Sequence, residues 1–215
     1  MKMVTNMIDI TTCLPCKNRC SYCPQDILMK HYKGIKILTL KKFDEVLKNI
    51  PKSVELLFCG LGEPFQNPEC ADMILLAHSK GHKIRVFTTL VGLTDKDAKK
   101  IKDIPFTRFF VHELLNFPDS HRKFSFVTER MTEVELKHFL TSRAGNLYPV
   151  PRKPFVSGCN PCSDGVMLPN GDFYICGMDW ALKHKMGNLF KTNLKDIKKK
   201  EIYELCYYCE YAKID

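Results

Sequence analysis

The chain has 215 residues, 45 % of them hydrophobic, and a formal net charge of +9. That is enough apolar material for one buried core with a small appendage. No run approaches the ~20 apolar residues of a membrane span, and the opening MKMVTNMIDI lacks the apolar stretch of a secretory signal, so a cytoplasmic protein without membrane contact is expected. The lysines of 195–200 flank the apolar Leu194 and Ile197, as on a solvated helix face; the basic balance suits an acidic or phosphorylated small molecule and makes nucleic acid the weaker reading.

In chain order, residues 3–12 read as a strand that feeds directly into the cysteine loop CLPCKNRCSYC of 13–23. Leu40, Phe43, Val46, Leu47 and Ile50 share one helical face over 39–50, and the apolar run 54–58 follows as a buried strand. The pattern repeats as helix 71–80, strand 84–87, helix 95–102 and strand 108–111. Such alternation means parallel strands with crossover helices, so the expected fold is α/β, a shortened, partial (β/α) barrel. Reactive groups in such sheets gather at the C-terminal strand ends. The cysteine loop, Gly60-Leu61-Gly62-Glu63-Pro64, Thr88-Thr89 and His112-Glu113 all follow strands. From 116 to 152 the signal is weak, with one helix over 132–140 and a proline-rich linker at 149–154. The boundary is therefore set at a core of 1–150 and a C-terminal unit of 151–215.

In that unit, Asn170-Gly171 between alternating apolar residues predicts a hairpin of 166–168 with 173–175. A helix carrying Leu194, Ile197, Ile202 and Leu205 then leads to Cys206 and Cys209, so that Cys159, Cys176, Cys206 and Cys209 are expected to converge on one point.

Eleven cysteines in a chain without an export signal point to metal, because reducing compartments disfavour disulfides. They form one group near each end, with Cys59 and Cys70 between as buried apolar thiols or free surface ones. Cys13, Cys16, Cys20 and Cys23 suit a closed zinc site or a four-iron cluster; Cys16, Cys20 and Cys23 alone would leave one iron open to substrate. Spacing does not choose between these. A zinc ribbon built on Cys159, Cys162, Cys206 and Cys209 is likewise an alternative for the second group.

Cys16-x3-Cys20-x2-Cys23, with the aromatic Tyr22 before the last cysteine, resembles the signature of the radical S-adenosylmethionine (SAM) enzymes. The resemblance implies a 4Fe–4S cluster on Cys16, Cys20 and Cys23, with SAM chelated by the open iron and cleaved to a 5′-deoxyadenosyl radical. Residues 60–64 resemble the family's Gly-Gly-Glu-Pro motif, with Leu61 in place of the first glycine. The resemblance implies that Gly60, Gly62, Glu63 and Pro64 lie at the SAM amino group, with Glu63 itself receiving it, and it assigns Tyr22, Thr88 and Thr89 to the same cofactor site. The C-terminal unit is similar to the twitch form of the SPASM domain, which implies one auxiliary 4Fe–4S cluster on Cys159, Cys176, Cys206 and Cys209, with Cys162 as an alternative to Cys159. Met186-Gly-Asn-Leu189 is similar to that domain's Gly-Asn-hydrophobic step.

Within these enzymes, Thr141-Ser-Arg143-Ala-Gly-Asn146 resembles a stretch of the 2-deoxy-scyllo-inosamine dehydrogenases, which places Arg143 near substrate and SAM. The implied activity is a two-electron oxidation of an alcohol or amine carbon in a small, sugar-like or phosphorylated substrate. The auxiliary cluster would accept an electron, a flavodoxin or ferredoxin would donate to the first cluster, and Arg143, His112 and Glu113 are candidates for orienting the substrate or removing its proton. A peptide-modifying or epimerising radical SAM enzyme is the first alternative, and a zinc-ribbon nucleic-acid binder the second.

Overall fold

A computed structural model describes residues 6–117, 122–138, 141–160, 163–198 and 202–214. Five parallel strands run in sequence order through one sheet: β1 (Met7–Ile10), β2 (Glu55–Phe58), β3 (Ile84–Thr88), β4 (Arg108–Glu113) and β5 (Glu129–Thr132). The crossovers carry α1 (Gln25–His31) and α2 (Leu40–Leu47), α3 (Cys70–Ser79) and α4 (Asp95–Ile101), and α5 (Glu133–His138) follows β5. Thr39 and Thr94 start α2 and α4 by accepting the backbone N–H of Lys42 and Asp97, the usual threonine N-cap.

Strand alternation sorts the side chains into two faces. Ile8, Ile10, Leu56, Phe58, Ile84, Val86, Phe109 and Val111 pack outward against Phe43 and Val46 of α2, Met73 and Ile74 of α3, and Ile101 of α4. The opposite register, Asp9, Leu57, Phe87, Phe110, His112 and Met131, lines a cavity on the concave side.

Two short strands, β6 (Gly158–Cys159) and β10 (Ala212–Lys213), pair antiparallel in a sheet of their own. The expected hairpin is β7 (Val166–Met167) with β8 (Asp172–Tyr174), followed by β9 (Lys185–Asn188). Its turn closes through Gly171 N–H to the Leu168 carbonyl at 2.8 Å, with Gly171 at φ +77°, where a glycine costs nothing sterically. Asn188 clamps this turn by donating to Asn170 O at 3.0 Å and Asp172 Oδ1 at 2.9 Å, which explains the Gly-Asn step. The hairpin is no appendage: β7 pairs parallel with β1, Asp9 opposite Val166, and extends the core sheet past residue 150.

Three elements differ from expectation. Where a helix through Leu194, Ile197, Ile202 and Leu205 is expected, the described residues on either side of 199–201 form 3₁₀ turns at Leu194–Asp196 and Glu204–Tyr208, and 199–201 lie outside the described residues. The i, i+3 spacing of the buried Leu194 and Ile197 suits a 3₁₀ turn equally, and Ile197 is already extended at ψ 127°. Helix α1 and strand β5 carry no clear apolar period: α1 buries only Leu28 fully and β5 is half-buried throughout. Among the described residues, no helix is long and apolar enough to cross a membrane.

Candidate active site

The loop after β1 is tied down where it begins. Leu14 N–H bonds Lys36 O at 2.8 Å, and the Cys13 thiol donates to Glu63 O at 3.4 Å, which turns it away from the cavity. Cys16, Cys20 and Cys23 all line that cavity. Gln25 holds them in place, accepting from Cys16 N–H at 2.9 Å while its amide donates to Leu61 O at 3.0 Å and leans on Cys23 Sγ at 3.8 Å. Asn18, buried, donates to Thr89 Oγ1 at 2.8 Å and accepts from Gln66 at 3.0 Å. Burial pushes the Cys16 thiol up to about 12 and Cys20 to about 11, and raises Cys23. These are neutral thiols unless a metal sits among them, since coordination deprotonates a thiol outright.

The 60–64 loop needs its glycines for space. A Cβ on Gly60, at φ +68°, would meet Thr11 Oγ1 at 2.1 Å, and one on Gly62 would meet the Cys13 carbonyl at 2.4 Å. Leu61, in contrast, points into a second apolar cluster with Leu14, Leu28 and Trp180, so a side chain is accommodated there. Glu63 is buried and accepts Thr88 Oγ1 at 2.5 Å, Thr89 N–H and Oγ1 both at 2.7 Å, and Phe65 N–H at 3.4 Å. Burial lifts its carboxyl to about 7 against the pull of these donors. Both oxygens are thus occupied by the protein's own donors. The side chain braces the loop against β3 and also lines the cavity.

Arg143, Ala144 and Gly145 lie consecutively in the left-handed region, at φ 56°, 54° and 79°. Each non-glycine residue there costs roughly 1–2 kcal/mol. Ser142 offsets this by donating its N–H to Glu210 and accepting Gly145 N–H at 3.0 Å on its hydroxyl, while Asn146 donates to Arg143 O at 2.6 Å and Met178 O at 3.2 Å. The turn delivers Arg143 to the cavity wall.

Cys159, Cys176 and Cys209 reach the same cavity from the far side. Pairing of Cys159 with Ala212 holds it near Cys209, and the buried Cys206 lies one 3₁₀ turn before. Burial is the main cause that raises the Cys209 thiol to about 11, with Cys159 and Cys206 adding to it. Among the described residues no three His, Cys, Asp or Glu side chains stand close enough to hold one metal ion. Cys159 comes from β6, Cys176 from the segment after β8, and Cys206 and Cys209 from the 3₁₀ turn at 204–208 and its end. Cys162 lies outside the described residues.

The cavity, about 480 Å³, thus lies between both cysteine groups. Among the described residues five buried side-chain polar atoms lack a hydrogen-bond partner, and four of them, Asp9 Oδ1, Tyr22 Oη, Arg143 Nε and Trp180 Nε1, belong to residues lining it. Buried polar atoms in native proteins are rarely left unpaired. Their concentration on one cavity, beside three thiols of a single loop, fits a site built around polar ligands and a thiolate-bound metal cluster.

The sequence profile described as the radical SAM superfamily matches residues 12–123, just over half of the chain. The chain belongs to the radical SAM superfamily. Its fold is similar to that of BtrN, solved in complex with AdoMet and 2-DOIA, at 18% identity and TM-score 0.68 over 91% of this chain and 82% of that one. It is also similar to Streptococcus suis SuiB bound to precursor peptide SuiA, at 11% identity and TM-score 0.59 over 91% of this chain and 65% of that one. A third is anSMEcpe with bound AdoMet, at 11% identity and TM-score 0.54 over 95% and 86%. No curated protein matches in sequence.

In this radical SAM protein the structure gathers Tyr22, Gly60, Gly62, Glu63, Thr88, Thr89, His112 and Arg143 on the cavity wall, with Pro64 buried behind. Glu113 is corrected: alternation along β4 turns it from the cavity, and it pairs with Arg130 at 3.1 Å. His112 stacks edge-on against Phe110, and burial, with Arg143 and Arg108 adding, lowers it to about 4, so it is neutral at pH 7. Sequence reasoning missed Gln25, Asn18, Asp9 and Trp180. Asp9 carried a signal, an acid within an apolar strand that ends at the cysteine loop.

Proposed function

We propose that this protein is a radical SAM oxidoreductase that removes two electrons from a hydroxyl- or amine-bearing carbon of a small polar molecule of the sugar or aminocyclitol type. The observation that carries this reading is one cavity, shared by both cysteine groups, whose lining residues include four with a buried polar atom that lacks a partner among the described residues. Cys16, Cys20 and Cys23 would hold the first 4Fe–4S cluster, with SAM beside Tyr22 and the backbone of 60–64. Cys159 (or Cys162), Cys176, Cys206 and Cys209 would hold the auxiliary one. When bound, the first cluster and SAM supply a hydrogen-abstracting 5′-deoxyadenosyl radical, fed by a flavodoxin- or ferredoxin-like donor, and the auxiliary cluster offers an electron acceptor of tunable potential.

The chain's own residues do the rest. Leu57, Phe87, Phe110 and Met131 give the cavity apolar walls that keep water from a reactive intermediate. Arg143, whose Nε lacks a partner, would donate to a substrate oxygen, and His112, kept neutral by burial, would help orient the substrate from the same wall. A volume in the range of small-molecule sites favours a small substrate over a peptide, and the fold likeness to BtrN, whose structure holds AdoMet and 2-DOIA, points the same way.

Reconstituted protein should carry about eight irons, two four-iron clusters. With deuterium on the substrate carbon, oxidation consumes SAM stoichiometrically and leaves the label in 5′-deoxyadenosine. Label returning to SAM, with product at the substrate's oxidation level, would instead establish an isomerase or epimerase.

A further inference from the structure

Asp9 is the polar residue of the concave sheet face that neither the cysteine loops nor the Glu63 network employs. It lies on β1, is 7% exposed and lines the cavity, and its Oδ1 has no hydrogen-bond partner. The Ser163 hydroxyl hydrogen-bonds the carboxyl, Asp164 adds a second negative charge nearby, and a Cβ on Gly177 would lie 3.4 Å from Oδ2. No cation is among the groups acting on it. Of the two arginines on the cavity wall, Arg108 is committed to Glu129. The other, Arg143, has an unpartnered Nε and, like Asp9, acts on the Cys59 thiol.

Asp9 and Arg143 therefore line one largely apolar volume, each with one buried polar atom that lacks a hydrogen-bond partner among the described residues. A hydroxyl would satisfy Oδ1 but leave a buried carboxylate without a counter-charge, which is costly. An ammonium supplies both hydrogen bond and charge. We propose that Asp9 is a substrate anchor that receives an amino group, so that the substrate is a small amine which also presents an oxygen to Arg143. This rests on the radical SAM reading given above.

The test is anaerobic calorimetry of the reconstituted, SAM-loaded protein with two probes, 2-deoxy-scyllo-inosamine and 2-deoxy-scyllo-inositol, the second of which has a hydroxyl in place of the amine. The wild type should bind the amine at least tenfold more tightly, and Asp9→Asn, which keeps the shape and removes the charge, should shrink that preference below threefold. Retention of the preference by Asp9→Asn overturns the anchor, as does equal binding of the two probes, or binding of neither, by the wild type. If Asp9→Asn fails to load iron, the wild-type comparison decides alone. Reductive SAM cleavage by the wild type is measured in parallel: its absence defeats the radical SAM chemistry, whereas a missing amine preference in a protein that cleaves SAM defeats only the anchor.

Discussion

Glu63 and Thr89 are joined twice, with the Thr89 N–H and hydroxyl both donating to Glu63 Oε2 at 2.7 Å. Thr88 takes the other oxygen at 2.5 Å. The loop after β2 and the end of β3 are thereby one unit, and Asn18 adds the cysteine loop to it through the Thr89 hydroxyl.

Replacing both threonines by valine keeps the strand's β-branched shape and removes two donors from a buried carboxylate. Each loss should cost about 1–3 kcal/mol, read by denaturant unfolding. Double Ser replacement, which keeps the hydroxyls, should restore most of it. SAM affinity should fall in the valine variant as the loop loosens.

The core sheet was legible because α2, α3 and α4 alternate with apolar strands, and the hairpin because Asn170-Gly171 specifies its turn. What the sequence hid was joint rather than local. That β7 pairs with β1 is a long-range contact with no pattern of its own, and the 3₁₀ turns at 194–196 and 204–208 share the i, i+3 spacing of a helix. At the site, residue types such as Cys16 and Glu63 announced themselves. The carboxylate's commitment to Thr88 and Thr89, and the turning away of Glu113, follow from strand register that only the assembled sheet determines.

Gly62→Ala should be more damaging than its size implies, because the new methyl meets the Cys13 backbone carbonyl at 2.4 Å and backbone cannot swing aside. A loss of several-fold in SAM affinity and about 1–3 kcal/mol in stability is expected. Leu61→Ala should leave the loop's course intact and weaken folding through lost packing alone, by about 2–5 kcal/mol.

The left-handed turn separates fold from chemistry at adjacent positions. Ala144→Gly relieves the strain at φ 54° and should raise stability by roughly 0.5–1 kcal/mol, the relief exceeding the added chain entropy. Arg143→Lys retains charge but loses the Nε donor. It should fold and cleave SAM like the wild type, yet lose product formation by a factor of 10 or more.

His112 supplies a pH test. Burial first, then Arg143 and Arg108, lowers it to about 4 from an ordinary 6.5, so between these pH values the unfolded chain binds a proton that the folded chain refuses. The stability due to its neutral form is full above pH 6.5 and is lost as pH falls through the window, with a slope of about 1.4 kcal/mol per pH unit. Asp9 and Glu63, both raised to about 7, act in the opposite direction, so the informative quantity is the difference between wild type and His112→Gln. The variant should lose less stability than the wild type as pH falls from 6.5 to 4, by up to that slope, in denaturant titrations at matched ionic strength.

The central claim is that Cys16, Cys20 and Cys23 carry the cluster that cleaves SAM. Its most direct test is 5′-deoxyadenosine release from SAM by anaerobically reconstituted protein under dithionite, followed by chromatography. The wild type and a Cys206→Ala/Cys209→Ala variant should both release it, and the variant with alanine at Cys16, Cys20 and Cys23 should release none. Cleavage by that triple variant at the wild-type rate, or no cleavage by the iron-loaded wild type, would contradict the account.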